Sequence, residues 1–321
     1  MEEQKYVHYS IMKEEVCSYL APDKPGQLLV DCTMGEGGHS LEFLTRFPDL
    51  QVLGIDADPQ IQERAKERLS SFADRVQFVN TYFDQYFRDH QGEPGPDRIL
   101  MDLGISMFHY EKSGRGFTFS KDEPLDMRLN PDNPLSAYIL VNDYEENDLA
   151  NLLFEYGEER YSRRIARAIV RERTLAPIET AFQLAGIISG SVPSAYRHGR
   201  IHPATRSFQA IRIVVNDELG RLRSVLRDAV KALNPGGLIG VITFHSLEDR
   251  IVKHFFKDLH RDCICPPQQP RCSCGGARVV DVLTRKPVVP GQAEIRENPA
   301  SRSSKFRVAR RISEFWREAD A

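Results

Sequence analysis

Apolar residues along this chain first come in short continuous runs, each closed by an acid or a glycine. LLVD spans 28–31 and VLGID spans 52–56. RVQFVNTYF at 75–83 and DRILMDLG at 97–104 follow in the same style. Runs of this length bounded by turn residues predict strands. Between the second and third runs, Ile61, Ala65 and Leu69 recur at helical spacing over 60–72. The strand–helix rhythm stops near residue 109. From there to about 213 the patterns predict helices and loops, as in YEENDLANLLFEYG and RRIARAIVRERT. It resumes with ELGRLRSVLRDAVKALNPGG at 218–237, a long amphipathic helix stopped by Asn234, Pro235 and two glycines. LIGVITFHS then predicts a buried strand, DRIVKHFFKDL a helix and SSKFRVARRI a late strand. The simplest organisation is an α/β sheet domain split by an inserted, mostly helical domain after the fourth strand. In open α/β sheets ligands sit beyond the carboxyl ends of the strands, so such an insertion is placed to serve as a substrate platform.

The first two runs also carry candidate chemistry. Asp31 leads into a turn with Gly35, Gly37 and Gly38, and Asp56 ends the next run. That spacing is one βαβ step. Glycines let backbone approach a ligand closely, and an acid at the second strand tip can accept ribose hydroxyls. A dinucleotide loop needs a third glycine, and Ser40 stands there instead. Asp31 would repel a pyrophosphate, whereas the sulfonium and ammonium of S-adenosylmethionine (SAM) are attracted to it. The pattern therefore favours SAM over a nicotinamide dinucleotide, and over a tight turn that binds nothing.

Composition bounds the rest. At 321 residues with 41% hydrophobic and 28% charged positions, the chain has ample surface to bury a core. Its first residues lack the basic and apolar regions of a signal peptide, and no run approaches membrane-spanning length. A cytoplasmic protein without membrane contact is expected. The formal net charge is −3, so nucleic-acid binding would require a local patch. Residues 160–212 contain ten arginines against two acids, an excess of eight positive charges. Residues 111–159 hold four basic and twelve acidic residues, an equal excess of the opposite sign. Arginine suits bidentate phosphate contacts and base stacking, although a charge run is also what a solvated helix face looks like. The segment HGRIHPATRSFQAIR, with His198, Arg200, His202, Arg206 and Phe208, is the clearer RNA-binding candidate.

Asp102 ends the fourth strand. An exocyclic base amine is a poor nucleophile, and a carboxylate accepting its N–H orients it toward a methyl donor. Contact with a cofactor adenine amine is the alternative role. Ser106 and His109 lie close in sequence. His245 and Ser246 follow the LIGVIT strand, either at the same crevice or in a strand-end hydrogen-bond network. Cys263, Cys265, Cys272 and Cys274 form a C-x-C-x6-C-x-C cluster, a candidate structural zinc site or else thiols in an exposed loop. Cys17 and Cys32 are expected in packing roles.

Motifs along nearly the whole chain, in order, resemble those of the RsmH (MraW) family. They are GEGGHS (35–40), IDADP (55–59), MDLGIS (101–106), GRGF (114–117), PLDMR (124–128), YGEER (156–160), RIARAIV (164–170), HPATRSFQAIRIVVN (202–216), FHSLEDRIVK (244–253) and NPASRSSKFRVA (298–309). The resemblance implies a Rossmann-like SAM-dependent methyltransferase domain over 1–108 and 213–321, interrupted by a helical RNA-binding domain over 109–212. It implies methylation of the N4 amine of a cytidine in the decoding region of small-subunit ribosomal RNA, within an assembling or assembled 30S particle, by a monomer or homodimer. Carried over by position, the cofactor residues are Gly37, Gly38, His39, Asp56, Phe83, Asp102 and His109. His109 stands where the family has glutamine, and Met107 replaces a serine. Competing classes are a SAM methyltransferase acting on DNA or protein amines, for which DLGI lacks the usual D/N-P-P-Y tetrad, and a non-catalytic RNA-binding protein.

Overall fold

The structure is a computed structural model; it describes residues 10–90, 95–263, 265, 268–271, 273 and 277–313. The chain divides into two compact units, 1–104 with 220–321 and 105–219.

The elements run α1 (Lys13–Tyr19), β1 (Leu28–Asp31), α2 (Gly38–Arg46), β2 (Gln51–Asp56), α3 (Pro59–Arg68), β3 (Val76–Asn80), α4 (Phe83–Asp89) and β4 (Arg98–Asp102). The second unit holds α5 (Met107–Glu111), α6 (Ala137–Asp143), α7 (Glu146–Gly157), α8 (Ser162–Arg173), α9 (Ala181–Ser191), α10 (Ser194–Arg197) and α11 (Thr205–Asn216). The chain continues with α12 (Glu218–Ala232), β5 (Leu238–Thr243), α13 (Ser246–Leu259), β6 (Val280–Val282), α14 (Gln292–Glu297) and β7 (Lys305–Arg311).

In the first unit the strands form one seven-stranded sheet in the order β3-β2-β1-β4-β5-β7-β6. Strands β1 to β5 are parallel, with Asp31 beside Gly54 on β2 and beside Leu100 on β4. The central strands are apolar because both faces are covered. Leu29, Leu100, Ile242 and Phe306 pack with Val16 of α1, with Leu20 just after it, and with Phe43 and Leu44 of α2. Val30, Ile99, Met101 and Val241 face the other way, against Leu222, Leu226, Val252 and Phe256 of α12 and α13. Strand β7 runs antiparallel between β5 and β6, pairing Thr243 with Lys305 and Leu238 with Arg310. The strand order reverses between β1 and β4, where open α/β sheets bind ligands. The third apolar run ends earlier than its sequence pattern predicts: β3 stops at Asn80, and Phe83 opens α4. Aromatic residues favour strands, but burial of Phe87 against the sheet sets the helix here.

The second unit has its own core, built wholly from residues between 117 and 215. Leu140, Leu153, Ile165, Ile169, Leu184, Ile188, Phe208 and Ile211 are buried at its centre. On α8 the apolar positions Ile165, Ala166 and Ile169 are buried while Arg163, Arg164, Arg167 and Arg171 are exposed. No helix among the described residues is long and apolar enough to cross a membrane.

Candidate active site at the strand ends

The glycine turn between β1 and α2 takes a conformation that its residues dictate. Gly35 has φ +55° and Gly37 has φ +73°, both in the left-handed region that side-chain-bearing residues avoid. A Cβ on Gly37 would also lie 3.0 Å from Leu69. The Gly35 N–H donates to Asp56 Oδ2 at 2.8 Å and the Asp58 N–H donates to Asp56 Oδ1 at 2.9 Å. The acid at the tip of β2 is thus fastened to the glycine turn of β1.

Asp31 is almost fully buried, and its Oδ2 accepts the Ser40 hydroxyl at 2.7 Å. Burial pushes its carboxyl upward; the Ser40 bond and nearby His39 oppose that shift and Asp102 adds to it. Ser40, which breaks the three-glycine pattern, is therefore the group that ties the first turn of α2 to the end of β1. Asp31 anchors the turn from beneath.

Asp102 ends β4, also buried. Its backbone N–H donates to Thr33 Oγ1 at 2.7 Å, and its Oδ1 accepts the Gly104 N–H at 3.1 Å. His39 Nε2 lies 3.4 Å from Asp102 Oδ2, a close approach without hydrogen-bond geometry. Both ring nitrogens of His39 are buried with no hydrogen-bond partner. Such groups are rare in a finished interior and common where a ligand completes the site. Open-backbone glycines, an unsatisfied imidazole and acids at the ends of β1, β2 and β4 fit a nucleoside ligand that carries positive charge.

Other predicted residues are placed as follows. Phe83, half-buried, packs on the α12 and α13 side of the sheet just after Thr81, whose N–H donates to the Asp56 carbonyl at 3.1 Å. His245 caps α13. Glu248, buried on that helix, accepts the Phe244 N–H at 2.7 Å and the His245 N–H at 3.3 Å, while its own N–H donates to His245 Nδ1 at 3.5 Å. His245 Nε2 sits 3.1 Å from Glu248 Oε1, out of line for a hydrogen bond. His245 thus belongs to a strand-end network. In the second unit His109 is buried beside Phe108 and Phe117. His202 stacks on Phe119 at 4.4 Å, and burial lowers its imidazole pKa. Arg200 is exposed, and Arg206 donates to the Glu158 carbonyl at 2.9 Å.

Cys263 is exposed, and Cys265 accepts the Ser273 N–H at 3.3 Å. Cys272 and Cys274 lie outside the described residues. Among the described residues no group of three metal-type ligands includes a cysteine, so the structure gives the zinc expectation no support. Cys17 and Cys32 are buried, and burial raises both thiols, Cys17 to about 12, which agrees with packing roles. Sequence reasoning missed Thr33 and the buried Glu36, whose Oε1 accepts Arg64 Nε at 2.6 Å. A Thr two residues beyond a strand-end acid is a usable signal for the first; the second has none, because exposed acids are far commoner in loops.

Fold and site together define a class, the Rossmann-like methyltransferases. Within it, the model of the MraW methylase family matches residues 5–312, and the chain belongs to that family. It is 55% identical over 307 residues to the ribosomal RNA small subunit methyltransferase H of Treponema denticola, covering 95% of this chain and 98% of that protein. Proteins of the same name from Symbiobacterium thermophilum and Geobacter sulfurreducens are each 46% identical. They cover 94% and 96% of this chain, and 95% and 99% of their own lengths.

Proposed function

We propose that the protein transfers the methyl group of SAM to the N4 amine of a cytidine in the decoding region of small-subunit ribosomal RNA, in the cytoplasm and on a small-subunit particle. The observation that carries this reading is the buried Asp102 carboxylate at the tip of β4, beside the unsatisfied His39 and across β1 from the fastened Asp56 turn. In this reading Asp56 holds the ribose hydroxyls, Phe83 lies beside the adenine, the Gly37–Gly38–His39 turn takes the methionine portion, and His109 completes the set, which leaves Asp102 for the substrate. SAM supplies an electrophilic methyl on a sulfonium. The residues do the rest by orientation and charge.

The cytidine amine shares its lone pair with the ring. Asp102 accepts one of its N–H groups, which turns the lone pair toward the methyl, stabilises the positive charge that develops on nitrogen and takes up the proton that nitrogen loses once it carries the methyl. The Thr33 hydroxyl on the Asp102 backbone keeps that carboxylate in register with β1. The helical unit 105–219 supplies the RNA platform, with Arg200, His202 and Arg206 on it.

Replacing Asp102 by Asn tests the assignment. Methyl transfer to rRNA, read by mass mapping of its nucleosides, is expected to fall on the order of 10²-fold or more, with SAM affinity by calorimetry largely kept. Full transfer by the variant would sink the role. Lost SAM binding would move Asp102 to the cofactor.

A further inference from the structure

The ten arginines between residues 160 and 212 fall into two groups. Arg167 reaches Glu146 at 3.7 Å, Arg171 bonds Glu172 at 2.7 Å, and Arg173 donates to the Val141 carbonyl at 2.7 Å. Arg206 donates to the Glu158 carbonyl, and Arg212 pairs with Glu218 at 2.8 Å. These five are struts. Arg160, Arg163, Arg164, Arg197 and Arg200 are exposed and make no ion pair or hydrogen bond among the described residues.

Within the second group Arg160 sits on a pair of tyrosines. The Tyr161 and Tyr196 rings meet edge to face at 5.0 Å, and the Arg160 guanidinium lies against both, at 4.9 and 4.8 Å from their centres. Beneath them Glu159 is fully buried. Its Oε2 accepts the Tyr196 hydroxyl at 2.6 Å and its Oε1 accepts the Tyr161 N–H at 2.8 Å. Glu159 thus holds the two tyrosines, not the arginine. Burial and the Glu159 bond push the Tyr196 phenol up to about 12, so it remains a neutral donor at neutral pH. Arg163 and Arg164 follow on the first turn of α8, Arg197 ends α10, and Arg200 comes just after it. At Gly157 a Cβ would lie 2.6 Å from the Arg206 carbonyl oxygen, so the end of α7 rests directly on the start of α11. Arg206 and its Glu158 contact brace the same corner.

A guanidinium stacked on aromatic rings keeps its N–H edges outward and has already lost much of its rotational freedom. That is a prepared contact for a phosphate. An all-arginine set interleaved with aromatic rings suits an RNA strand, whose backbone and bases both find partners there. We infer that Arg160, on its Tyr161–Tyr196 shelf, is an oriented phosphate contact for the substrate RNA, with Arg163, Arg164, Arg197 and Arg200 extending the grip. This rests on the RNA-methylating reading above.

The test is fluorescence anisotropy of a labelled single-stranded RNA of the decoding region across a salt series. Arg160→Ala is expected to weaken binding several-fold and to reduce the log Kd–log salt slope by about 0.7, the share of one single-strand phosphate contact. Arg160→Lys restores the slope without the full affinity. Tyr196→Phe, which only loosens the shelf, lowers affinity and leaves the slope. Arg171→Ala, exposed but paired with Glu172, changes neither. Wild-type affinity and slope in Arg160→Ala would overturn the inference alone, whereas no RNA binding by the wild type takes the RNA reading down with it. If Arg160→Ala weakens binding to intact small subunits but not to the naked RNA, the surface meets a ribosomal protein, and the inference falls.

Discussion

The carboxyl of Asp31 closes β1 with 1% exposure and a single strong hydrogen bond, from Ser40. Burial raises its pKa, because the charged form loses its water. A group raised in the folded state contributes stability that is complete below the unfolded value, about 3.9, and is lost as pH climbs through the folded one. Asp31→Asn, with the same shape and no charge to desolvate, removes that dependence. Its melting temperature minus that of the wild type should rise between about pH 4 and pH 8. A difference that stays flat across that window would mean Asp31 titrates as an ordinary acid. The same carboxyl explains the sixth loop position: a glycine there would pack a helix closer, but only a hydroxyl satisfies the buried acid.

At the scale of elements, the turn from β5 into α13 depends on one side chain. Glu248 accepts two backbone N–H groups, from Phe244 and His245, that otherwise point into a buried corner. Glu248→Ala leaves both unpaired and is expected to cost about 1–3 kcal/mol, while Glu248→Gln retains an acceptor and most of that stability. Chemical denaturation of the two variants decides it; equal losses would show that charge, not hydrogen bonding, is what matters. The spacing behind this contact was legible, since H-x-x-E has the period of a capping box, but histidine is not among the usual capping residues. Strands β1, β2, β4 and β5 were legible for a plainer reason: burial on both faces demands uninterrupted apolar runs, and LLVD, VLGID and LIGVIT have no other use. Three residues of β6 are too few to make a pattern, and the Tyr82–Phe83 pair reads as strand until its packing is seen. The arginine cluster announced itself as charge. Which five were struts depended on contacts such as Arg212 with Glu218 and Arg173 with the Val141 carbonyl, of which only the first is written as a nearby opposite charge.

The molecule as a whole carries separate cores, one for residues 105–219 and others on the two faces of the sheet. Separate cores open separately. Hydrogen exchange is expected to resolve two blocks with different opening free energies, and added SAM should slow exchange chiefly in 1–104 and 220–321. A single opening energy across the chain would argue that the units unfold as one. The position of β7 has a consequence for synthesis. Residues 305–311 lie between β5 and β6 in the sheet although both of those neighbours are made before them. A nascent chain that has emerged as far as residue 300 can already hold a finished helical unit, since that core is contiguous. Its sheet, however, still ends at β5, six buried residues of which only Thr243 is polar, with one edge unpaired. Until residues 305–311 leave the ribosome, the polypeptide exposes an aggregation-prone edge, and completion of this enzyme's sheet waits on β7.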